Sequence, residues 1–218
     1  MSKLFPFNMF LLCFSFSIIS CGQIKQDTSD IPGMTSEKKS KVEPEVISHE
    51  LLELEAEYME MLTPITKLKQ SKPKTYWFIV SWLKTAYKTP DWNGYGEDDW
   101  REKTKQRGID CSGFTRVMQD QIFDYKIAGG SQGLLDMYCT QVPASDRKMG
   151  DLVFFKAPYS TTDRIVHVGV YLQDGLFVHA TSVKSAANGL GLKIDSLEDQ
   201  RWKDELVAIG RVNEEHKK

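Results

Sequence analysis

Apolar residues recur every three or four positions in the first half of the sequence, a period typical of helices that pack on a core by one face. The pattern predicts an amphipathic helix over residues 47–62, a buried helix over residues 76–87 and a third helix over residues 111–125. The apolar stripe of the first helix consists of Ile47, Leu51, Leu54, Tyr58 and Met61. We expect this helix to pack on the main domain.

The period changes to two after residue 150, which is typical of strands. Four segments predict strands, over residues 151–155, 165–172, 176–181 and 206–212. Helices followed by a run of antiparallel strands indicate an α+β fold, with N-terminal helices packed on an antiparallel sheet.

The hairpin between the second and third of these strands can be aligned residue by residue. A three-residue loop, Gln173–Asp174–Gly175, places Leu172 opposite Leu176. One face is then uniformly apolar and consists of Val166, Val168, Val170, Leu172, Leu176, Val178 and Ala180. His167 and His179 share the other face as diagonal neighbours, about 7 Å apart at the backbone. A two-residue loop would place His179 among the core valines, so that register is rejected.

The N-terminus has the pattern of a secretory signal. Residues 4–19 include 12 apolar residues in 16, fewer than the ~20 that a spanning helix needs. Ile18, Ile19 and Ser20 precede Cys21 and resemble the bacterial lipobox, which implies diacylglyceryl transfer to Cys21 and cleavage after Ser20. An ordinary signal peptide that contains a cysteine is the alternative. The resemblance implies a lipid anchor in the bacterial envelope, on the periplasmic or the outer-surface side.

Four segments follow from these patterns: a signal peptide over 1–20, a lipidated tether over 21–46, an accessory helix over 47–73 and the main domain over 74–218. The tether is polar and has few aliphatic residues, so it is expected to remain flexible with an end-to-end distance of about 25 Å.

Composition and charge exclude several classes of protein. Hydrophobic residues make up 41% and charged residues 27% of the 218 residues, as in an ordinary globular chain. Lys and Arg total 28 against 30 Asp and Glu, which argues against the basic face of a nucleic-acid-binding protein. The four cysteines form no Cys-x-x-Cys pair, which excludes a zinc ribbon. We expect a monomer.

A candidate nucleophile lies at the start of the third predicted helix. Asp110 is a suitable N-cap, and Cys111 in the first turn faces unpaired N–H groups, which favour the thiolate. His167 could take the thiol proton, and His179 could accept the far N–H of His167 and fix its tautomer. A buried core cysteine and a Cys-His-His zinc site are the alternatives, but the zinc site lacks a closely spaced ligand pair. We therefore expect no metal.

Four motifs in order resemble those of the NlpC/P60 family of bacterial cell-wall cysteine peptidases. They are residues 107–114 (RGIDCSGF), 149–155 (MGDLVFF), 167–171 (HVGVY) and 177–180 (FVHA). The resemblance implies a papain-like α+β fold for the main domain, with Cys111 as nucleophile, His167 as proton acceptor and His179 as orienting residue. No metal or organic cofactor is implied. Cys139 is expected to be a free, buried thiol.

The same resemblance implies hydrolysis of amide bonds in peptidoglycan stem peptides, usually the bond from γ-D-glutamate to a diamino acid such as diaminopimelate. Cleavage of D-alanyl–diaminopimelate cross-links is the first alternative. A lipoprotein that binds wall peptides without cleaving them is the second.

The sequence departs from the family pattern before the nucleophile. The family has Pro-Tyr-x-Trp-Gly-Gly there, whereas Asp91 stands in the tyrosine position, and Tyr95 or Tyr87 could substitute for it. Residues 96–107 resemble an insertion, and no Pro-Arg-Thr/Ser segment is recognisable around residues 128–133. Together with Tyr95, the expected substrate-binding residues are Asp110 and Ser112.

Overall fold

The computed structural model describes residues 47–88, 108–181 and 191–218, all of which belong to one compact unit, Glu45–Lys218. Five predicted features lie outside these ranges: the lipidation site Cys21, the tether, Asp91, Tyr95 and the insertion at 96–107. Within these three ranges, no helix is long and apolar enough to cross a membrane.

Seven α-helices are described, and three of them are single turns or little more. In chain order, α1 to α7 are His49–Glu57, Met59–Leu62, Leu68–Ser71, Pro73–Ser81, Cys111–Ile122, Ser131–Tyr138 and Gln200–Glu205. The single helix predicted over 47–62 is divided into α1 and α2, because Tyr58 leaves helical geometry with φ −112° and ψ 22°. The helix predicted over 76–87 instead begins at Pro73 and ends at Ser81.

The early end of α4 has a local cause. The residues that follow it pair with the segment just before α5, since the Ile109 N–H donates to the Ala86 carbonyl and the Lys88 N–H donates to the Ile109 carbonyl. This pairing requires extended backbone, which a continuing helix would prevent. It brings Tyr87 next to Ile109, two residues before Cys111.

Six antiparallel strands form one sheet, which confirms the α+β class. In chain order, β1 to β6 are Cys139–Gln141, Leu152–Lys156, Ile165–Tyr171, Leu176–Ala180, Leu192–Ser196 and Leu206–Val212. Their order across the sheet is β1-β6-β2-β3-β4-β5. The strands β1 and β5 and the helices α6 and α7 were not predicted from the sequence pattern.

The two faces of the sheet border two separate hydrophobic cores. The larger core joins the helices to one face and includes Leu54 and Leu62 as well as Val168 and Val178. The N-terminal helices pack on the main domain as expected, through Leu54 and Tyr58 of the predicted stripe, with Leu51 and Met61 partly buried beside them. Ile47 precedes α1 and is 37% exposed, so its prediction as part of the stripe is wrong. The smaller core covers the other face and is formed by Val153, Phe155, Tyr171, Phe177, Leu197, Trp202 and Ile209.

The predicted register of the β3–β4 hairpin is confirmed, because Val170 pairs with Val178 and Tyr171 with Phe177. The loop turns through positive φ at Asp174 (52°) and Gly175 (80°). The prediction of Val166 as a core residue is wrong, since its side chain is 50% exposed. Phe155 pairs with His167 and Lys156 pairs with Ile165, so Val166 is the extra residue of a β-bulge.

Candidate active site

Cys111 is the first residue of α5, and the structure of its N-terminus follows from the neighbouring residues. Asp110 is the N-cap, and its Oδ1 accepts the Gly113 N–H at 2.7 Å and the Ser112 hydroxyl at 3.1 Å. A Cβ at Gly113 would lie 2.9 Å from Ile109 Cγ1 and 3.0 Å from Asp110 Oδ1. The motif therefore combines a cap with the small residue that the cap needs.

The Cys111 thiol is buried, with 6% of the residue exposed. Its Sγ lies 3.6 Å from Oγ of Ser131, the first residue of α6. Burial raises the pKa of the Cys111 thiol above its ordinary value, although Ser131 and the backbone N–H groups of Val168 and Ser112 act in the opposite direction. The expected stabilisation of the thiolate by the helix start is thus outweighed by burial.

The two histidines meet on the sheet as the register predicts. His167 Nε2 and His179 Nδ1 are 2.7 Å apart, and the rings are nearly perpendicular at 82°. Gly169 makes this contact possible, since a Cβ there would lie 2.7 Å from the Phe177 ring and 3.2 Å from His179 Cβ. His179 is completely buried.

Two residues that were not selected from the sequence extend this pair. His179 Nε2 lies 3.1 Å from Oδ2 of Asp195 in β5, and the Trp202 indole N–H donates to the same oxygen at 3.1 Å. We call His167, His179, Asp195 and Trp202 the hydrogen-bond relay. The alternating polar residues of β5 are the one sequence signal that could have indicated Asp195, because alternation places them on one face of the sheet.

Burial dominates the electrostatics of the relay. It lowers the pKa of His167 to about 3 and also lowers the pKa of His179, with Asp195 acting in the opposite direction on both. Burial alone would raise the pKa of Asp195, but the hydrogen bonds from His179 and Trp202 and the charges of His179 and Lys193 lower it. At neutral pH both imidazoles are therefore neutral and the carboxylate is ionised.

The structure relates the candidate base, His167, to Cys111 through the neighbouring residue of the same strand. The backbone N–H that faces the Cys111 sulfur belongs to Val168, the residue after His167. Within the described part of the chain, no hydrogen bond joins Cys111 to His167, and the sulfur contacts Ser131 instead. Catalytic hydrogen bonds are often longer in enzymes without substrate than in the complex.

Tyr87 lies near the start of α5, because it pairs with Ile109, two residues before Cys111. Burial raises the pKa of Tyr87 to about 12, and the charges of Cys111 and Asp110 act in the same direction. Tyr95, the other tyrosine considered, lies outside the described residues. Cys139 is a free thiol, as predicted, but it is half-buried rather than buried.

No group of three or more His, Cys, Asp or Glu side chains is arranged to hold a metal ion among residues 47–88, 108–181 and 191–218. The expectation that the site uses no metal stays a prediction.

Comparison with known proteins finds relatives that are named as endopeptidases. The probable endopeptidase NlpC homolog of Haemophilus influenzae is 31% identical over 109 residues, which cover 50% of this chain and 52% of that protein. Escherichia coli MepS, named a murein DD-endopeptidase and murein LD-carboxypeptidase, is 33% identical over 107 residues (49% and 51%). Bacillus licheniformis CwlO, named a peptidoglycan DL-endopeptidase, is 35% identical over 111 residues (48% and 21%). The chain spans about half the length of the first two relatives.

Among solved structures, an NLP/P60 family protein of Staphylococcus aureus, described as similar to lipoprotein, aligns with a TM-score of 0.47 and 20% identity. The alignment covers 64% of this chain and 40% of that one. The model of the NlpC/P60 family matches residues 92–211 of this sequence. Because this match takes in more than half of the sequence, the chain belongs to the NlpC/P60 family.

Proposed function

We propose that this protein is a cysteine peptidase that hydrolyses amide bonds in peptidoglycan stem peptides. The observation that carries the proposal is the hydrogen bond between His167 and His179, which is 2.7 Å long. It occurs in a member of the NlpC/P60 family in which Cys111 begins a helix beside the strand of His167. A thiol, a base and a group that orients the base are the parts that nucleophilic amide hydrolysis needs.

In the proposed acylation step, Cys111 Sγ attacks the carbonyl carbon of the amide and its proton passes to His167 Nδ1. The Cys111 backbone N–H helps to hold the oxyanion. The C–N bond then breaks, and the amine leaves with the proton from His167. This produces a thioester between Cys111 and the N-terminal part of the substrate.

In the proposed deacylation step, a water molecule gives one proton to His167 Nδ1 and attacks the thioester carbonyl. The C–S bond breaks, the carboxylic acid is released, and His167 returns the proton to the sulfur. Both steps begin with His167 in its neutral form, which is the form that burial favours by lowering its pKa. Tyr87, which pairs with Ile109 two residues before Cys111, is the candidate for the tyrosine that the family has in this region.

For the bond that is cut, we propose the γ-D-glutamyl–diamino acid amide, in cell-wall turnover or recycling. The name of CwlO, a DL-endopeptidase, supports this choice. The name of MepS, a DD-endopeptidase, favours D-alanyl–diaminopimelate cross-links as the second candidate.

The experiment is mass spectrometry of purified muropeptides, both uncross-linked stems and cross-linked dimers, after incubation with the protein. C111A tests the nucleophile, and C139A is the matched control because Cys139 is the other described free thiol. We expect cleavage after γ-D-glutamate by the parent and by C139A, and none by C111A. Cleavage only at D-alanyl bonds would support the second candidate, and binding without any cleavage would contradict the proposed activity.

We further propose that the protein acts at the bacterial envelope, held by lipid on Cys21. The lipobox resemblance supports this anchor. The predicted tether would let the main domain reach wall peptides near the membrane.

A further inference from the structure

Three neighbouring strands each contribute one polar side chain to the same face of the sheet. His167 on β3 and His179 on β4 are diagonal neighbours across one strand pair. In the next pair, Lys193 lies opposite His179 and Asp195 lies opposite Phe177, so Asp195 is again diagonal to His179. The hydrogen bonds follow this diagonal across the sheet.

The donor and the acceptor of each hydrogen bond in the relay can be assigned in order, starting from Trp202. An indole N–H can only donate and an ionised carboxylate can only accept, so the Asp195 oxygen accepts from Trp202 and from His179 Nε2–H. His179 Nδ1 then carries no hydrogen and must accept. His167 Nε2 therefore donates to it, which leaves the lone pair of His167 Nδ1 free.

Trp202 also holds the rings of the relay in place. Its indole stacks on His167 with centroids 5.8 Å apart and meets His179 edge to face at 5.1 Å. Only 4% of Trp202 is exposed, and the Arg201 guanidinium lies over its ring at 4.5 Å. The indole thus covers both imidazoles on the face of the sheet where the smaller core lies.

The charges around the relay explain why an acidic residue is useful there. Lys193 and Arg201 disfavour a protonated His179, and Arg201 also disfavours a protonated His167. Asp195 acts in the opposite direction on both histidines. Its carboxylate would therefore stabilise the imidazolium that forms when His167 takes a proton.

We propose that Asp195 and Trp202 are positioning residues of the active site, which set the tautomers of His179 and His167 so that His167 Nδ1 is the proton acceptor. This inference rests on the proposed function, in which His167 is the base. It extends the site from the three residues indicated by the sequence motifs to five.

The first test compares D195A and D195N in the full chain by steady-state kinetics on the muropeptide that the parent cleaves. Losing Asp195 should lower kcat by ~10–100-fold in D195A, as for other groups that orient a reactive residue, with KM within about twofold because Asp195 does not touch substrate. D195N should fall between the parent and D195A, since the amide oxygen can still accept. D174N is the matched control, because Asp174 is exposed in the hairpin loop at a φ that Asn tolerates.

The second test reads the tautomers directly by two-bond ¹H–¹⁵N NMR of the histidine rings. In the parent, both His167 and His179 should be protonated at Nε2 alone. D195N should keep this pattern. The Trp202 N–H can only donate, so the new side chain must place its amide oxygen, and not its NH₂ group, at the position that Trp202 and His179 both contact. In D195N/W202F that requirement is removed, so the amide can present either its oxygen or its NH₂ group to His179. The Nδ1–H tautomer of His179 should then appear beside the Nε2–H tautomer, with a further loss of kcat.

These readouts separate the inference from the proposed function. A folded D195A with the parental kcat would overturn the inference, and so would an unchanged tautomer pattern in D195N/W202F. If D195A does not fold, D195N and the double variant decide the question alone. If the parent cleaves no muropeptide, the proposed function fails, while the NMR pattern still tests the relay.

Discussion

At the scale of single residues, burial shifts the pKa values of the candidate nucleophile and the candidate base in opposite directions. Burial raises the pKa of Cys111 and lowers the pKa of His167 to about 3. A buried pair of this kind rests as neutral thiol and neutral imidazole, because neither charged form is solvated. The proton should move only when substrate is attacked.

The resting state predicts the pH dependence of Cys111 alkylation by iodoacetamide. Because a raised pKa leaves little thiolate at neutral pH, the rate should still be rising at the ordinary thiol value of 9.0. It should show no plateau between about pH 5 and pH 8. Peptide mass spectrometry measures the rate at Cys111, with Cys139, whose pKa burial and Asp151 raise to about 12, as an internal reference. A plateau in the acidic range would indicate a preformed thiolate–imidazolium pair.

A second prediction at this scale concerns Asp110, which caps α5. If its carboxylate also pairs with the free amine of L-alanine, a released stem peptide should be cleaved ~10–150-fold faster than its muramyl-linked form. D110N should keep the cap, since Asn caps helices about as well as Asp, and should erase the preference. Kinetics on both peptides and a thermal melt of D110N measure the two effects. Equal rates on both peptides with the parent would mean that Asp110 is a cap alone.

The sequence motifs predicted those candidate site residues whose contacts lie close to them in the sequence. Cys111 with its cap could be predicted because both lie within one turn of helix, and the His167–His179 pair could be predicted from one hairpin register. Ser131 and Trp202 could not, because each reaches the site through tertiary packing, and the only sequence signal for Asp195 was the polar alternation of β5. None of the three lies in a motif or in an element that the periodicity predicts.

At the scale of elements, the short helices before the sheet are connected by one buried carboxylate. Glu55 of α1 is 6% exposed, and its oxygens accept from Lys69 Nζ of α3 at 2.7 Å and from the Tyr76 hydroxyl of α4 at 2.7 Å. Burial alone would raise the pKa of Glu55, but these two hydrogen bonds and the charge of Lys69 lower it. The ionised form therefore stabilises the folded state.

E55A should lower the free energy of unfolding by about 2–3 kcal/mol, because it removes hydrogen bonds to a charged group and leaves the buried Tyr76 hydroxyl unpaired. Since the folded-state pKa is below the ordinary value of 4.5, the contribution is present above that pH and is lost as the pH falls through the folded value. Urea denaturation at neutral and acidic pH measures the difference. E53A is the control. Because Glu53 is exposed, its replacement should change the free energy of unfolding by less than about 0.5 kcal/mol. An equal loss in both variants would contradict this role.

Elements rich in apolar residues could be predicted, and elements with few of them could not. The strands β2, β3, β4 and β6 consist mostly of apolar residues, whereas only Leu192 and Ile194 of the five residues of β5 are apolar. The helix α7 has six residues, of which only Trp202 is apolar, so its burial depends on the smaller core and not on amphipathic spacing.

At the scale of the whole molecule, the sheet lies between the residues that support the candidate nucleophile and those that support the candidate base. The larger core packs α5 against one face, and the smaller core holds Trp202 on the other. The site therefore depends on the intact sheet, because its residues come from two helices and three strands that are up to 91 positions apart, from Cys111 to Trp202.

The proposed lipid anchor leads to a prediction at the same scale. C21S should abolish lipidation, because serine has no thiol for the thioether. The variant should move from the detergent phase to the aqueous phase in phase partitioning and should keep its activity on free muropeptides. Equal partitioning of C21S and the parent would contradict the lipobox interpretation.

The most direct measurement of the central claim is the mass of the protein after a rapid acid quench of its reaction with L-Ala-γ-D-Glu-diaminopimelate. We predict an adduct with the mass of the L-Ala-D-Glu acyl group, on the peptide that contains Cys111, and its absence from C111A. Cleavage of the peptide by C111A, or turnover by the parent with an acyl group on any residue other than Cys111, would contradict the account.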